Sequence, residues 1–264
     1  MSMATRDAYG KALAELGGRN PDVVVLDADL SRSTKTGDFY DVYPDRFFNI
    51  GIAEANMMGI AAGFATAGKI PFASTFAIFG TMRAADQVRN SICYPNLNVK
   101  IALTHAGITL GEDGASHQTV EDIAVMRTLP NMTVIVPADG EETMQAVNAA
   151  AEYVGPVYLR LGRTKVPAVF DSSYKFEIGK GVVVHEGDDV TVIACGIMLS
   201  PAIEAAQELA GEGISVRVIN MPTIKPIDRD LIIAAAQETK GIVTAEEHSI
   251  IGGLGAAVAE VVSE

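Results

Sequence analysis

The segment THAGITLGEDGASHQ, residues 104–118, contains the densest group of side chains that can take part in chemistry. His105, Asp113 and His117 lie within 13 positions of one another. Histidine and aspartate side chains transfer protons and bind hydroxyl groups. Three glycines in the same segment allow the backbone to turn tightly beside a ligand. Any one of these residues would fit a solvated turn, but three of them after an apolar strand indicate an active-site loop.

A single acidic residue, Glu54, lies in the segment GIAEANMMG between an apolar stretch and a helix rich in alanine, methionine and glycine. Its carboxylate could simply stabilise the N-terminus of that helix, where the helix dipole favours anions. Alternatively, it could be a buried acid with a role in proton chemistry. The local sequence leaves both interpretations open.

Two aromatic residues, Phe76 and Phe79, lie three positions apart at a boundary between a strand and a helix. They could be core residues or a platform that stacks a flat heterocycle. The helix is predicted near residues 81–92. Its segment MRAADQVR supplies Arg83, Asp86 and Arg89, for which we predict an ion pair on the helix surface unless the helix faces a partner.

Arg6, Ser33 and Arg163 are scattered in the sequence, and the last two follow predicted strand ends. Arginine forks suit the oxygen atoms of a phosphate group. A surface position would also explain each residue, and their spacing does not decide between the two interpretations.

The composition of the chain limits its partners. Of the 264 residues, 48% are hydrophobic and 20% are charged, which is typical of a globular protein. The net charge of −13 argues against nucleic acid as a partner, although a local cationic pocket can still bind a small anion. No apolar run approaches the roughly 18 residues of a membrane span. We expect a cytoplasmic protein without membrane contacts, in which Cys93 and Cys195 are buried free thiols.

Short β-branched segments alternate along the chain with longer alanine-rich segments, and this alternation predicts an α/β fold with mainly parallel sheets. The alternation breaks at TKVPAVFDSSYKFEIGK and then restarts. We therefore predict two doubly wound domains at residues 1–165 and 181–264, with a linker at 166–180. Ligands of such sheets bind beyond the carboxyl ends of the strands. The first-domain strands are predicted to end at Asp29, near Glu54, at Phe76, at His105 and at Arg163, so this mixture of groups indicates an enzyme site.

Several motifs, namely GIAEAN, STFAIF, RAADQVR, THAGITLGEDGASHQ and PADGEE, together resemble the C-terminal half of transketolase, a thiamine-diphosphate enzyme. The resemblance runs from Arg6 to the end of the chain. It implies a pyrimidine-binding domain followed by a smaller transketolase C-terminal domain, which in this family generally continues with another strand and helix. The GDG…Asn signature of the domain that holds the diphosphate and Mg²⁺ is absent from the sequence. The chain therefore resembles the second subunit of a split transketolase.

The resemblance implies roles for the cofactor-binding residues. Glu54 matches the glutamate that hydrogen-bonds the aminopyrimidine ring of thiamine diphosphate, and Phe76 and Phe79 match the stacking aromatic residues. Asp29 falls where the family lines the cofactor cavity. Members of the family often have a tyrosine where this chain has Met82.

The resemblance also implies roles for the substrate-binding residues. Asp113 and His117 match residues that hold the hydroxyl and carbonyl oxygens of the sugar. His117 is then a catalytic proton donor or acceptor, and Glu54 is the other expected catalytic residue. The residues that match the phosphate site are Arg6, Ser33, His105 and Arg163.

The implied activity is the transfer of a two-carbon unit from a ketose phosphate to an aldose phosphate. It requires thiamine diphosphate and Mg²⁺, with the metal ligands on an N-terminal partner chain, in an assembly of two copies of each chain (α2β2). A 1-deoxyxylulose-5-phosphate synthase is the nearest alternative, but its members tend to carry arginine where this chain has His105. A non-catalytic subunit that keeps the fold is the alternative from another class.

Overall fold

The computed structural model describes residues 2–264 and contains two sheets flanked by helices. The elements of the first part of the chain are β1 (Met3–Ala4), α1 (Thr5–Arg19), β2 (Val23–Asp27), α2 (Ser31–Thr34), α3 (Gly37–Tyr40), β3 (Phe47–Asn49), α4 (Glu54–Thr66), β4 (Ile70–Ser74), α5 (Ala85–Gln87), β5 (Lys100–Leu103), α6 (Asp122–Thr128), β6 (Thr133–Ile135), α7 (Gly140–Glu152), β7 (Val157–Arg160) and β8 (Lys165–Val166).

The second part of the chain begins its regular structure after residue 181. Its elements are β9 (Val182–His185), β10 (Val190–Ala194), α8 (Leu199–Ala210), β11 (Val216–Asn220), β12 (Thr223–Lys225), α9 (Arg229–Glu238), β13 (Ile242–Ala245) and α10 (Leu254–Ser263). None of the helices within residues 2–264 combines the length and the apolar character that crossing a membrane requires.

The larger sheet has seven strands in the order β12-β6-β7-β5-β4-β2-β3, and all neighbours are parallel except β12 and β6. Its central strands are buried on both faces, which explains apolar runs such as VVVLD. Val23 and Val25 pack with α1 and α7, whereas Val24 and Leu26 pack on the opposite side with α4. The predicted α/β fold with a mainly parallel sheet is confirmed.

The smaller sheet has the order β13-β10-β11-β9, in which β9 is antiparallel to β11. The strand β12 leaves this second part of the chain and joins the edge of the larger sheet. Side chains of α9 and α10, such as Ile232 and Leu254, belong to the same apolar core as Val24 and Leu26. The two parts therefore share a packed interface, and the boundaries predicted from the sequence remain a proposal.

The helix predicted near residues 81–92 is irregular in the structure. Two turns of π-helix, Phe79–Arg83 and Val88–Cys93, flank the short α5. Such turns are rare and frequently occur at functional sites. Gly80 allows the first turn to lie against β5, since a Cβ atom there would meet Leu103 Cδ1 at 2.5 Å.

Candidate active site

The side chain of Glu54 is buried at the start of α4, with 6% of its surface exposed. The residue before it, Ala53, occupies the N-cap position and provides no side-chain cap. The Glu54 carboxylate accepts a hydrogen bond from Arg83 Nη1 at 3.2 Å. The acid is therefore buried beneath Arg83, whose own side chain is 55% exposed.

The guanidinium of Arg83 lies over the ring of Phe79, 4.1 Å from its centroid. The predicted surface ion pair within MRAADQVR is therefore wrong. Asp86 accepts a hydrogen bond from Asn90 instead, at 2.5 Å. The π-helical turn at residues 79–83 changes the spacing of an α-helix and directs Arg83 to Glu54.

The rings of Phe76 and Phe79 stack with their centroids 5.8 Å apart and an interplanar angle of 17°. The imidazole of His105 stacks on Phe76 at 3.8 Å. His117 meets both phenylalanine rings edge-on, at 6.1 Å and 5.2 Å. The structure thus brings both predicted histidines to the two predicted stacking residues.

His105 follows β5 and has a left-handed backbone conformation with φ of 60°. Its Nε2 atom lies 3.1 Å from Arg6 Nη1, and its Nδ1 atom lies 2.8 Å from the Thr104 hydroxyl. Because a guanidinium only donates, Nε2 accepts and Nδ1 carries the ring proton. Burial, together with the charge of Arg6, lowers the pKa of His105 to about 4. The ring is therefore neutral at physiological pH.

A cavity of about 240 Å³ opens beside these rings. It is lined by most of the residues predicted to bind the substrate, together with Arg32, and the complete set is Arg6, Arg32, Ser33, Phe76, His105, Asp113 and Arg163. Three guanidinium groups make this cavity locally cationic in a chain whose net charge is −13. Arg32 was not predicted from the sequence as a residue of this site, although its position beside Ser33, after a strand, could have indicated it.

Two of the arginines differ in how they are held. Arg6 Nη1 also donates to the carbonyl oxygen of Ser33 at 3.1 Å, whereas the buried Arg6 Nε atom has no hydrogen-bond partner within residues 2–264. Burial lowers the pKa of Arg6, and the charge of Arg163 acts in the same direction. Arg163 donates to the Asp113 carboxylate and to the carbonyl oxygen of Leu110, in the glycine-rich loop.

The buried carboxylate of Asp27 fixes the short helix α2, which carries Arg32 and Ser33. It accepts hydrogen bonds from the Leu30 amide at 2.6 Å and from the Thr34 and Thr36 hydroxyls at 2.7 and 2.9 Å. Burial raises the pKa of Asp27, and these hydrogen bonds oppose the effect. Asp27 was missed because its type and position alone do not distinguish it from any other strand-end acid.

Asp29 lies on the exposed rim after β2, with φ of 65°. It accepts a hydrogen bond from Asn49 Nδ2 at 2.9 Å and does not belong to the lining of the arginine-rich cavity. Its predicted contact with a cofactor remains a proposal. Across residues 2–264, no three His, Cys, Asp or Glu side chains are arranged to hold a metal ion.

The fold and site define a two-domain α/β protein whose larger sheet presents aromatic, imidazole and guanidinium groups at its carboxyl edge. A family model described as the transketolase pyrimidine-binding domain matches residues 1–169, and one described as the transketolase C-terminal domain matches residues 179–264. The chain belongs to the transketolase family and contains these two of its domains.

Two curated relatives match almost the whole chain. A protein of Methanocaldococcus jannaschii named putative transketolase C-terminal section is 51% identical over 260 residues, which are 98% of this chain and 81% of the relative. A subunit of a 6-deoxy-6-sulfo-D-fructose transketolase from Clostridium sp. is 42% identical over 259 residues, which are 98% of this chain and 80% of the relative.

A solved structure described as a split-gene transketolase in an inactive β4 tetramer is also similar to this chain. It has a TM-score of 0.93 and a sequence identity of 61%, and the match covers 100% of this chain and 86% of that one. Both predicted domain types and the predicted family are therefore confirmed.

Proposed function

We propose that this chain is the C-terminal subunit of a split, thiamine-diphosphate-dependent transketolase, which transfers a two-carbon unit from a ketose phosphate to an aldose phosphate. The observation that carries the proposal is the buried Glu54 carboxylate, which Arg83 links to the Phe79 ring, at the same sheet edge as the cationic cavity. An aminopyrimidine ring can hydrogen-bond a carboxylate at its edge and can stack an aromatic ring on its face.

The contacts of Arg83 support the fit of this cofactor. Its planar, cationic guanidinium already touches both the Glu54 carboxylate and the Phe79 ring. A flat heterocycle that carries a proton can therefore use the same two partners. Glu54 would stabilise the protonated ring, and Phe76, Phe79 and Asp29 would line its site. When bound, thiamine diphosphate supplies the nucleophilic carbon that takes up the two-carbon unit.

The cationic cavity supports the choice of an anionic sugar as the substrate. The buried Arg6 Nε atom lies 4.0 Å from the Asp7 carboxylate and donates no hydrogen bond within residues 2–264, so it would donate to a phosphate oxygen; Ser33 and Arg163 lie in the same cavity. Neutral His105 already contacts Arg6 through Nε2 and Thr104 through Nδ1, so it would hold the Arg6 guanidinium in place for the phosphate rather than attract the phosphate by charge. In the glycine-rich loop, Asp113 would hold a sugar hydroxyl group, while His117 would transfer a proton at the substrate oxygens.

An N-terminal partner chain completes the proposed enzyme. We place the Mg²⁺ ligands and the diphosphate site on that chain, in an α2β2 assembly with the cofactor between subunits. The names of the similar proteins, which include a C-terminal section, a subunit and a split-gene transketolase, support two chains. The similar β4 tetramer is described as inactive, and this description supports the expectation that the present chain alone has no activity.

The test combines this chain with a partner chain from the same source that carries the GDG…Asn signature. Thiamine diphosphate and Mg²⁺ are added to the pair. We expect ketol transfer between sugar phosphates, with no activity from either chain alone. Glu54→Gln should lower kcat by roughly 100-fold or more, because the amide cannot stabilise the protonated ring. Glu204→Gln, an exposed acid on α8, is the matched control and should be unchanged.

Three outcomes would contradict the proposal. Near-normal turnover by Glu54→Gln would restore the helix-terminus interpretation of this acid. A requirement for pyruvate would identify a 1-deoxyxylulose-5-phosphate synthase-like enzyme instead. If the assembled chains transfer no ketol unit from any sugar phosphate, the non-catalytic alternative would hold.

A further inference from the structure

The glycine-rich loop at residues 107–119, called the 107–119 loop below, carries Asp113 and His117 on a narrow base. Gly107 and Thr119 close this base with two backbone hydrogen bonds, of 2.9 and 3.2 Å. Asp113 is exposed near the middle of the loop. A surface loop of this kind needs contacts with its surroundings to fix its side chains.

A segment of the second domain, residues 247–249, crosses the base of the loop. The Oε1 atom of Glu247 accepts hydrogen bonds from the backbone amides of Ile108 and Thr109, at 2.8 and 2.7 Å. The backbone amide of Ser249 donates to the carbonyl oxygen of Val120 at 2.8 Å. The second domain therefore holds the chain at both ends of the 107–119 loop.

Gly107 leaves the space that the Glu247 carboxylate occupies. A Cβ atom at Gly107 would lie 2.1 Å from Glu247 Cδ and from its Oε2 atom. Gly107 also has φ of 82°, a conformation that favours glycine. The carboxylate thus packs directly against loop backbone, and a residue with a side chain could not replace this glycine without displacing it.

The backbone of Glu247 is fixed by a buried ion pair of the first domain. Arg160 Nη2 donates to the carbonyl oxygen of Glu247 at 2.9 Å. The same guanidinium forms two hydrogen bonds with Asp122, of 2.6 and 3.1 Å, and both side chains are buried. A rigid strand end therefore determines where the Glu247 carboxylate meets the loop.

We propose that Glu247 is a positioning residue that holds the 107–119 loop, and through it Asp113 and His117, against the aromatic and arginine side chains of the site. The second domain would thereby take part in substrate binding without touching the substrate. The catalytic consequence rests on the proposed function, whereas the anchoring of the loop does not.

Hydrogen exchange of the full chain tests the anchoring directly. In the unsubstituted protein, the amides of Ile108 and Thr109 should exchange at least tenfold more slowly than those of Glu112 and Ala115, which donate to no group within residues 2–264. Equal exchange of the two sets would overturn the proposal, and this measurement needs no variant that might fail to fold.

Two substitutions of Glu247 separate its hydrogen bonds from its charge. Glu247→Ala removes the acceptor and should speed exchange at Ile108 and Thr109 at least tenfold. Glu247→Gln keeps an acceptor oxygen at the same reach and should restore protection. The matched control is Glu246→Ala, since Glu246 accepts instead from two amides at the start of α10. Unchanged protection in Glu247→Ala, or equal loss in the Glu246 variant, would overturn the proposal.

The assembled enzyme provides the catalytic readout. Glu247→Ala should lower kcat/KM for the sugar substrate at least tenfold while the affinity for thiamine diphosphate stays the same, because Glu54 and Phe79 lie outside the loop. Glu247→Gln should recover most of the loss. An equal loss in cofactor affinity would indicate a general structural role and refute the proposal. If the unsubstituted assembly shows no ketol transfer, the proposed function fails, but the exchange results still decide the anchoring.

Discussion

Removal of the buried carboxylate of Asp122 should destabilise the chain strongly. Asp122 is fully buried and accepts hydrogen bonds from Arg160 Nε at 2.6 Å and from the Tyr158 hydroxyl at 2.6 Å. Burial opposes the charge of Arg160, but the adjacent carboxylate outweighs this effect and raises the pKa of the guanidinium. Asp122→Ala therefore leaves a buried cation without its counter-charge and a buried hydroxyl without its acceptor.

The expected loss follows from the burial of this ion pair. Breaking a buried pair by removing one partner costs about 3–5 kcal/mol, because the remaining charge stays desolvated. For a chain of this size we expect a fall of roughly 10 °C in Tm. Replacing both partners, as Asp122→Leu with Arg160→Met, should recover the part of the loss that comes from the unpaired charge, because no charge remains buried, while the Tyr158 hydroxyl still lacks its acceptor.

Chemical and thermal unfolding followed by circular dichroism measures this effect. The control is Glu260→Ala, which breaks the Arg127–Glu260 pair, whose carboxylate is 64% exposed. Its expected cost is below about 1 kcal/mol, because solvent screens an exposed pair. If Asp122→Ala costs no more than this control, the guanidinium is rehydrated in the variant and the reasoning from burial is refuted.

Three further predictions concern other side chains. Burial raises the pKa of Glu142 in the folded chain from 4.5 to about 7, so the folded chain holds this proton more tightly than the unfolded chain does. The resulting contribution to the free energy of unfolding is complete below pH 4.5 and is lost as the pH rises through 7. Unfolding measured between pH 4.5 and 7 should therefore show a decline of about 3 kcal/mol that Glu142→Gln lacks. In the assembled enzyme, Arg83→Ala should bind thiamine diphosphate roughly tenfold more tightly, because no guanidinium competes for Glu54, whereas Arg89→Ala should bind it normally. Cys93 and Cys195 are both buried, which raises the pKa of each thiol, so they should resist iodoacetamide until the chain is denatured.

Each of these predictions has an outcome that contradicts it. A Glu142→Gln variant with the same pH dependence as the unsubstituted chain would exclude the titration of this acid. Weaker cofactor binding by Arg83→Ala would mean that Arg83 helps to hold the cofactor. Labelling of either cysteine in the native chain would show that its surroundings open to solvent.

The positions of the main strands and helices follow from the sequence, because their signals are local. The run VVVLD is apolar at every position, so it predicts a strand buried on both faces, which β2 is. The antiparallel strands β9 and β12 were not predicted. The register of β12 depends on β6, some 90 residues earlier, and a short three-residue strand carries little pattern of its own.

The sequence also determined which side chains meet at the site. Because parallel strands end at one edge of a sheet, the strand-end groups Asp29, Glu54, Phe76, His105 and Arg163 were expected together. Phe76, His105 and Arg163 line one cavity, whereas Asp29 and Glu54 do not belong to its lining. Residue types and the ends of the predicted strands therefore predicted part of this set, whereas the strand order came from the structure.

Only the tertiary structure decided how these groups are held. The partner of Glu54 is Arg83 because a π-helical turn redirects that side chain, and the protonation of His105 depends on burial and on Arg6. The anchor of the 107–119 loop is Glu247, which lies 139 positions from Ile108 in the sequence. Hydrogen bonds and desolvation act across space, so contacts between distant segments leave no trace in the local spacing of residues.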